Sequence, residues 1–407
     1  MSDQTVPYSK LRVFSWALYD LAAKFFTLNV LTLYFVRWIT MEKKVPELFY
    51  SAAFGASMVL VAFLSPLAGA FADRARAKKK FFVGATVFAA GFFFLLALTK
   101  NVIAALILFA LTNFSLQFAV VFYNTLIVSV APREKYGIVS GFGKTLGYVG
   151  SLIAVALITP IAAEQGKHAA ILPSAAGFAL CVIPSLFGVR EPGKKEERAA
   201  APPKPARAVR SMLQSFAGYW RENPDIRHFF LAAFWVLCPL NTLILFMSVY
   251  MDQVLGLTEP QIFRLVLSST VFAMAGSMVS GWLSDRMGYK RMLMTVLFLW
   301  LAVFFAAALV AAEWMYWVIG AGVGLAMGAT WTVSRALAAR LVPQERLGEM
   351  FGLFAFIGYA AAVAGPVFFS ILLLVCAPLG VVRYRIGLLS LTVFLFLAAR
   401  SLRKINV

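Results

Sequence analysis

One phrase is written twice in this chain, about half its length apart. Gly69-Ala-Phe-Ala-Asp73-Arg74-Ala-Arg76-Ala-Lys78-Lys79-Lys80 recurs as Gly281-Trp-Leu-Ser-Asp285-Arg286-Met-Gly288-Tyr-Lys290-Arg291. Each copy closes one long apolar run and opens the next. A second phrase repeats at nearly the same offset. Asn124 through Pro132-Arg-Glu134 pairs with Arg335 through Pro343-Gln-Glu345, and Gly137, Gly141, Gly147 and Tyr148 pair with Gly348, Gly352, Gly358 and Tyr359. A chain written in this way is constrained to fold as two similar halves.

The apolar runs decide the solvent. Of 407 residues, 61% are hydrophobic and 14% charged, where soluble domains hold about 45–50% and about 25%. Most runs reach about 20 residues, enough for a helix to cross roughly 30 Å of hydrocarbon. The sequence predicts an all-α membrane protein with twelve transmembrane helices in two pseudo-symmetric six-helix bundles. The helices fall at 14–39, 48–72, 81–99, 102–130, 138–162 and 169–188, then at 228–251, 261–284, 292–312, 314–341, 349–375 and 379–400. The first run is long, lacks a small-residue cleavage site and carries Asp20 and Lys24, so it reads as a membrane helix and not as a cleaved leader. The N-terminal bundle is expected at 1–188 and the C-terminal one at 228–407. Between them, 189–227 is rich in Pro, Ala and mixed charge, which reads as a linker without a core of its own; 211–222 is either an amphipathic surface helix or an ordinary solvated connector.

The net charge of +19 belongs to the membrane and not to nucleic acid. Lys and Arg collect at 73–80, 133–135, 189–227, 285–291, 343–349 and both termini, and are sparse near 100, 163–168, 252–260 and 313. By the positive-inside rule the basic loops and both termini are cytoplasmic, and a bacterial inner membrane is the expected location. Arg383 and Arg385 break the pattern; they either cap the outer end of the last helix or line a vestibule there. The three cysteines, Cys181, Cys238 and Cys376, have no metal spacing and read as free thiols in apolar spans. His168 and His228 fall near helix ends. Neither a metal site nor a cofactor is expected.

The glycine, the Asp-Arg pair and the basic cluster between the second and third helices of each half, in a six-plus-six arrangement with a long central loop, resemble the major facilitator superfamily. The resemblance implies a conformational latch at Gly69, Asp73, Arg74, Gly281, Asp285 and Arg286, closed in the outward-open state and broken as the protein opens inward. Physically, the glycines permit close helix contact and each carboxylate can accept from the N-terminus of a neighbouring helix. Further motifs narrow the resemblance. They are Trp16-Ala-Leu-Tyr-Asp20, Phe122-Tyr123-Asn124, Ala131-Pro132, Gly137-Ile-Val-Ser140-Gly141, Gly147-Tyr148-Val-Gly150, Ser334-Arg335-Ala-Leu-Ala-Ala-Arg340-Leu-Val-Pro343, Phe351-Gly352-Leu-Phe and Gly365-Pro366. These are similar to the Atg22-like family, also called UMF1, whose eukaryotic members are linked to efflux of amino acids from the vacuole. The chain departs from that family after Asp20. Leu21-Ala22-Ala23-Lys24 stands where Trp-Ala-Asn-Ser is usual, which puts the family's solute preference in question here.

Charges within a span cost about 2.5–3.5 kcal/mol on insertion scales, so they face a cavity or a partner. Asp20 and Lys24 are four residues apart and share a helix face. Either they line a solute cavity or they form an ion pair that locks the first helix. Arg335 occupies the repeat position of Asn124; it faces the solute, pairs with Asp20, or snorkels to the surface. Asn113, Gln117 and Tyr123 add hydrogen-bonding groups to the fourth helix. Asn241 and Thr242 follow Pro239, which frees a backbone carbonyl. Trp235 and Trp331 are candidate cavity walls. The expected substrate-binding set is therefore Asp20, Lys24, Asn113, Gln117, Tyr123, Asn124, Asn241, Trp331 and Arg335. Gly141-Phe-Gly143-Lys144-Thr145 mimics the end of a phosphate loop, but no strand precedes it and the earlier glycine is missing; its glycines are read as packing residues.

The sequence thus points to a secondary active transporter and not an enzyme. It would move a small zwitterionic or anionic solute, amino acids by family resemblance, by rocker-switch alternating access. Export is the preferred direction, a proton or another ion the coupling partner, lipid the surroundings and a monomer the expected state. The rivals are a carrier of lipids or hydrophobic drugs and a non-transporting membrane scaffold or receptor.

Overall fold

The structure, a computed structural model, describes residues 9–189, 218, 221, 223–310 and 312–406. Every regular element among the described residues is helical. The helices are α1 Lys10–Phe26, α2 Glu47–Arg74, α3 Lys78–Leu98, α4 Val102–Thr125, α5 Tyr136–Gln165, α6 Ile171–Gly188, α7 Pro224–Leu255, α8 Glu259–Met287, α9 Tyr289–Ala308, α10 Glu313–Leu341, α11 Leu347–Val375, α12 Val382–Ser390 and α13 Thr392–Arg403. Among the described residues, 11 helical stretches are long and apolar enough to cross a membrane, with α12 and α13 together forming the last.

The first expected span, 14–39, is not a regular helix. Past Phe26 the chain is π-helical at Thr27–Leu33, makes one α turn at Phe35–Arg37 and is π-helical again at Trp38–Glu42. No proline or glycine causes this. The hydroxyls of Thr27, Thr32 and Thr40 donate to the carbonyls of Ala23, Thr27 and Val36 at 3.0, 3.0 and 2.8 Å. Such bonds compete with the backbone ladder. Asn29, inside the first π stretch, is held sideways by donating to Ser174 Oγ on α6 at 3.0 Å.

The last expected span, 379–400, is also interrupted. Gly380 takes a φ of 57°, a left-handed conformation that favours glycine, and the helix starts two residues later. It breaks at Leu391, where Ser390 and Thr392 each donate to a carbonyl three residues back at 2.6 Å. Arg385 donates to the Val310 carbonyl at 3.3 Å, so it ties the chain just past the end of α9, which is neither of its two expected roles. Ends elsewhere follow local chemistry. Asn101 Oδ1 accepts from Ala104 N at 3.0 Å and caps α4. Thr258 and Gln261 form a capping box at α8.

The described chain divides into two compact units. One is Met1–Met212 with Val342–Leu353; the other is Leu213–Leu341 with Phe354–Val407. Packing inside each follows the repeat in the sequence. In the first, α4 packs on α2 and α3, and α1 on α5 and α6; in the second, α10 packs on α8 and α9, and α7 on α13. Most of the expected linker 189–227, with the helix considered at 211–222, lies outside the described residues.

Candidate functional site

In the first unit the ionic residues of α1 meet α4 and α5. Trp16, Asp20 and Lys24 recur every fourth residue and share one face of α1. Small residues on α5 let that face come close. A Cβ on Gly150 would sit 2.6 Å from the Leu21 carbonyl oxygen, and one on Gly147 would lie 3.4 Å from Asp20 Cβ. Lys144, one turn before Gly147, then reaches across: its Nζ lies 3.0 Å from Asp20 Oδ1. From α4, the Tyr123 hydroxyl donates to Asp20 Oδ2 at 2.9 Å. Tyr123 is itself fixed by aromatic contact. Its ring stacks on Trp16 at 4.5 Å and on Tyr19 at 4.8 Å, while Trp16 Nε1 donates to the Tyr123 carbonyl at 3.0 Å.

Asp20 thus pairs with Lys144, and of the two readings of Asp20 and Lys24 an ion pair within α1 is not the one formed. Lys24 points its ammonium over the Tyr148 ring at 5.9 Å, a cation–π distance. It has no carboxylate within ion-pair distance among the described residues. The cluster thus holds one carboxylate and two cations. The Lys144 and Asp20 side chains keep 25% and 13% of their exposure. A largely buried ion pair contributes little net stability, because desolvation offsets attraction. A charged solute group can therefore exchange for one partner at small cost.

The other candidates are spread out. Asn113 is buried and donates to Ser57 Oγ at 2.7 Å, joining α4 to α2. Gln117 and Asn124 are half-buried on the same helix. In the second unit, Asn241 donates back to the Leu237 carbonyl and Thr242 to that of Cys238, both at 2.8 Å. Trp331 is half-buried, and Trp235 packs on Phe394 at 5.7 Å. Arg335 is 3% exposed, which excludes a side chain reaching up to an open surface. This unit also holds an apolar cavity of about 60 Å³ between Thr242, Phe246, Tyr250, Phe304 and Phe369. That is far below the roughly 300–1,000 Å³ of ligand pockets, so it is a packing void and not a solute site. Lys144 is the residue that sequence reasoning missed, although an intramembrane lysine was visible in the discarded phosphate-loop mimic.

At the first copy of the repeated phrase, Asp73 faces the start of α11. Its Oδ1 and Oδ2 accept from the backbone N–H groups of Gly348 and Glu349 at 3.0 and 2.8 Å. These are first-turn donors with no partner inside their own helix. Lys78 Nζ lies 2.8 Å from Asp73 Oδ1 and also donates to the Gln344 carbonyl. A Cβ on Gly69 would run into the Gly348 carbonyl, so the approach needs glycine at 69. Arg74 is exposed. At the second copy, the Tyr289 hydroxyl donates to Asp285 Oδ1 at 2.6 Å and Arg286 lies 3.9 Å over the Trp282 ring. Among the described residues no group of three His, Cys, Asp or Glu could hold a metal. Cys238 is buried, and Cys181 and Cys376 are half-buried, all as free thiols.

Known proteins share both the pattern and the fold. Residues 128–407 match the family described as vacuole effluxer Atg22 like, and residues 5–155 match the Major Facilitator Superfamily. An uncharacterized protein of Aquifex aeolicus is 27% identical over 86% of this chain and 89% of its own. An uncharacterized transporter of the superfamily, YxiO of Bacillus subtilis, is 25% identical over 88% and 87%. Over a shorter stretch, 38% of this chain, a Na(+), Li(+), K(+)/H(+) antiporter of Planococcus maritimus is 25% identical across 36% of its length. Among solved structures, the E. coli fucose:proton symporter FucP superposes with a TM-score of 0.73 at 13% identity, covering 98% of both chains. The human organic anion transporter MFSD10 does so with 0.69 at 14%, covering 96% of this chain and 98% of that one. These likenesses make the chain a multi-pass integral membrane protein and a secondary transporter rather than an enzyme. It belongs to the vacuole effluxer Atg22-like family of the major facilitator superfamily.

Proposed function

We propose that this transporter moves a small zwitterionic or anionic solute, amino acids being the class the family suggests, with export as the preferred direction. The observation that carries the reading is the Asp20–Lys144 pair, capped by Tyr123 and flanked by Lys24, where α1 packs against the membrane spans α4 and α5. Two cations to one carboxylate leave an excess positive charge that a solute carboxylate would neutralise. A solute ammonium would take the place of Lys144 at Asp20. Coupling to protons is part of the proposal: an Asp20 that gains a proton releases Lys144, and charged solute and proton then compete for the same groups. The antiporter and the proton symporter among its relatives and structural neighbours support that coupling, and the organic anion transporter supports the anionic choice.

Alternating access would follow the superfamily pattern. In this reading Lys10–Glu42 counts as a twelfth crossing, giving six-helix bundles at 1–188 and 228–407 joined by 189–227. The Lys and Arg distribution puts both termini in the cytoplasm of an inner membrane, and the protein works as a monomer. Asn113, Gln117, Asn124, Asn241, Trp331 and Arg335 supply further contacts to the solute. Gly69, Asp73, Arg74, Gly281, Asp285 and Arg286 form the latches. The test is efflux or counterflow of radiolabelled amino acids and organic anions in proteoliposomes under a pH gradient. Asp20→Asn should keep solute exchange and lose its dependence on the gradient. A variant that stays gradient-driven removes Asp20 from proton coupling. Lys24→Ala and Lys144→Met that both transport normally would remove the ionic cluster from solute recognition.

A further inference from the structure

Away from the ionic cluster, the first unit carries an open groove along α3 and α4. Lys80, Gly84 and Phe88 form one wall and Phe114 and Phe118 the other, around about 340 Å³. Both helices are membrane spans, so the groove runs within the hydrocarbon layer, where an unfilled apolar trough would forfeit contact on one side. Gly84 leaves it open: a Cβ built there meets nothing within 4 Å. From Lys80 to Phe88 is eight residues, about 12 Å along a helix axis, and one leaflet's share of the hydrocarbon is about 15 Å. Phe88, at the far end, is 64% exposed. An extended hydrocarbon chain lying on these rings fits both the length and the chemistry.

The near end selects among such chains. Lys80 is exposed and has no carboxylate within ion-pair distance among the described residues. Lys78, two residues before it, is committed to Asp73. Exposed Arg76 adds a second cation at the same helix junction. A lysine placed at the end of an apolar trough can lay its stem on the trough and hold its ammonium at headgroup level. We propose that this groove binds one acyl chain of an anionic phospholipid, whose phosphate is held by Lys80. The site depends only on α3 and α4 crossing the membrane, not on any choice of transported solute.

The experiment is native mass spectrometry of the full chain released from detergent, after equilibration with dioleoyl phosphatidylglycerol or dioleoyl phosphatidylcholine. The expected result is one retained phosphatidylglycerol and no comparable phosphatidylcholine. Lys80→Glu should weaken retention about fivefold or more, the scale of one lysine at an anionic surface. Gly84→Leu should also abolish it by filling the trough; the open space at Gly84 lets that side chain in without disturbing the fold, which a thermal melt checks. Lys100→Glu, beyond the opposite end of α3, serves as the control and should change nothing. Glycerol 1-phosphate, a headgroup without chains, should not displace the lipid. The proposal is overturned by equal retention in the wild type, Lys80→Glu and Gly84→Leu, by equal retention of the two lipids, or by displacement with glycerol 1-phosphate.

Discussion

The two copies of the repeated phrase place a lysine five residues after an aspartate, yet the two lysines do different things. Lys78 pairs with Asp73 at 2.8 Å. Lys290 turns away from Asp285 and donates to the carbonyls of Arg403 and Ile405 at the end of α13. The residue between them differs. Where the first copy has Ala77, the second has Tyr289, whose hydroxyl reaches Asp285 Oδ1 at 2.6 Å. Gly288, with φ at 89°, starts α9 one residue before Tyr289 and aims that side chain back at the aspartate. A repeat preserved in the backbone has therefore diverged in its charges. At the first copy the aspartate holds Lys78 and a helix N-terminus, and at the second its Oδ1 takes a tyrosine hydroxyl.

The largest expected effect comes from removing the charge that this ion pair needs. The side chains of Lys78 and Asp73 keep 10% and 6% of their exposure, so they are close to fully desolvated. Asp73→Ala takes the carboxylate from a buried ammonium and the acceptor from two helix N–H groups. A loss of about 3–5 kcal/mol is expected, the usual cost of breaking a buried pair from one side, seen as a fall in the thermal midpoint of the purified chain. Lys78→Met comes next. It leaves Asp73 with its two backbone donors, so a loss of about 1.5–3 kcal/mol is expected, that of one charge-assisted hydrogen bond. Equal melting of Lys78→Met and wild type would mean that the lysine adds nothing to the aspartate's hold on α11.

These pairings were hidden in the sequence for the same reason that Lys144 was. Membrane spans were legible where length and hydropathy report them without tertiary information; the first expected span, 14–39, is not among the 11 described stretches long and apolar enough to cross. The repeat was legible as well, down to the glycine at 69 that allows the helix approach. Partner choice was not. Asp20 had a cation at Lys24, four residues along its own helix, and local spacing favoured it. The structure chose Lys144 because Gly147 and Gly150 bring α5 against α1, and helix rotation alone decides which lysine faces the carboxylate. The π-helical stretch after Phe26 escaped notice because no proline or glycine marks it.

Tyr289→Phe tests the second copy at a smaller scale. It removes one hydroxyl donor from Asp285, so a loss of about 0.5–1.5 kcal/mol is expected. A thermal midpoint equal to wild type would show that the tyrosine is not what distinguishes the copies.

The smallest effect is the sharpest discriminator. A double-mutant cycle measures the coupling of two side chains after their separate contributions cancel. For Asp73 and Lys78, in direct contact, the cycle Asp73→Asn with Lys78→Met should return about 0.5–3 kcal/mol, the range for contacting residues in one network. For Asp285 and Lys290 the same substitutions should add to within about 0.3–0.5 kcal/mol, the scatter of independent sites. Lys290 spends its protons on backbone carbonyls, and those bonds persist whether position 285 is charged or neutral. Comparable coupling in the two cycles would mean that Lys290 serves Asp285 in solution after all. Repeating the second cycle on a Tyr289→Phe background extends the test. With the hydroxyl gone, Asp285 becomes the stronger attraction for Lys290, and coupling should appear where there was none.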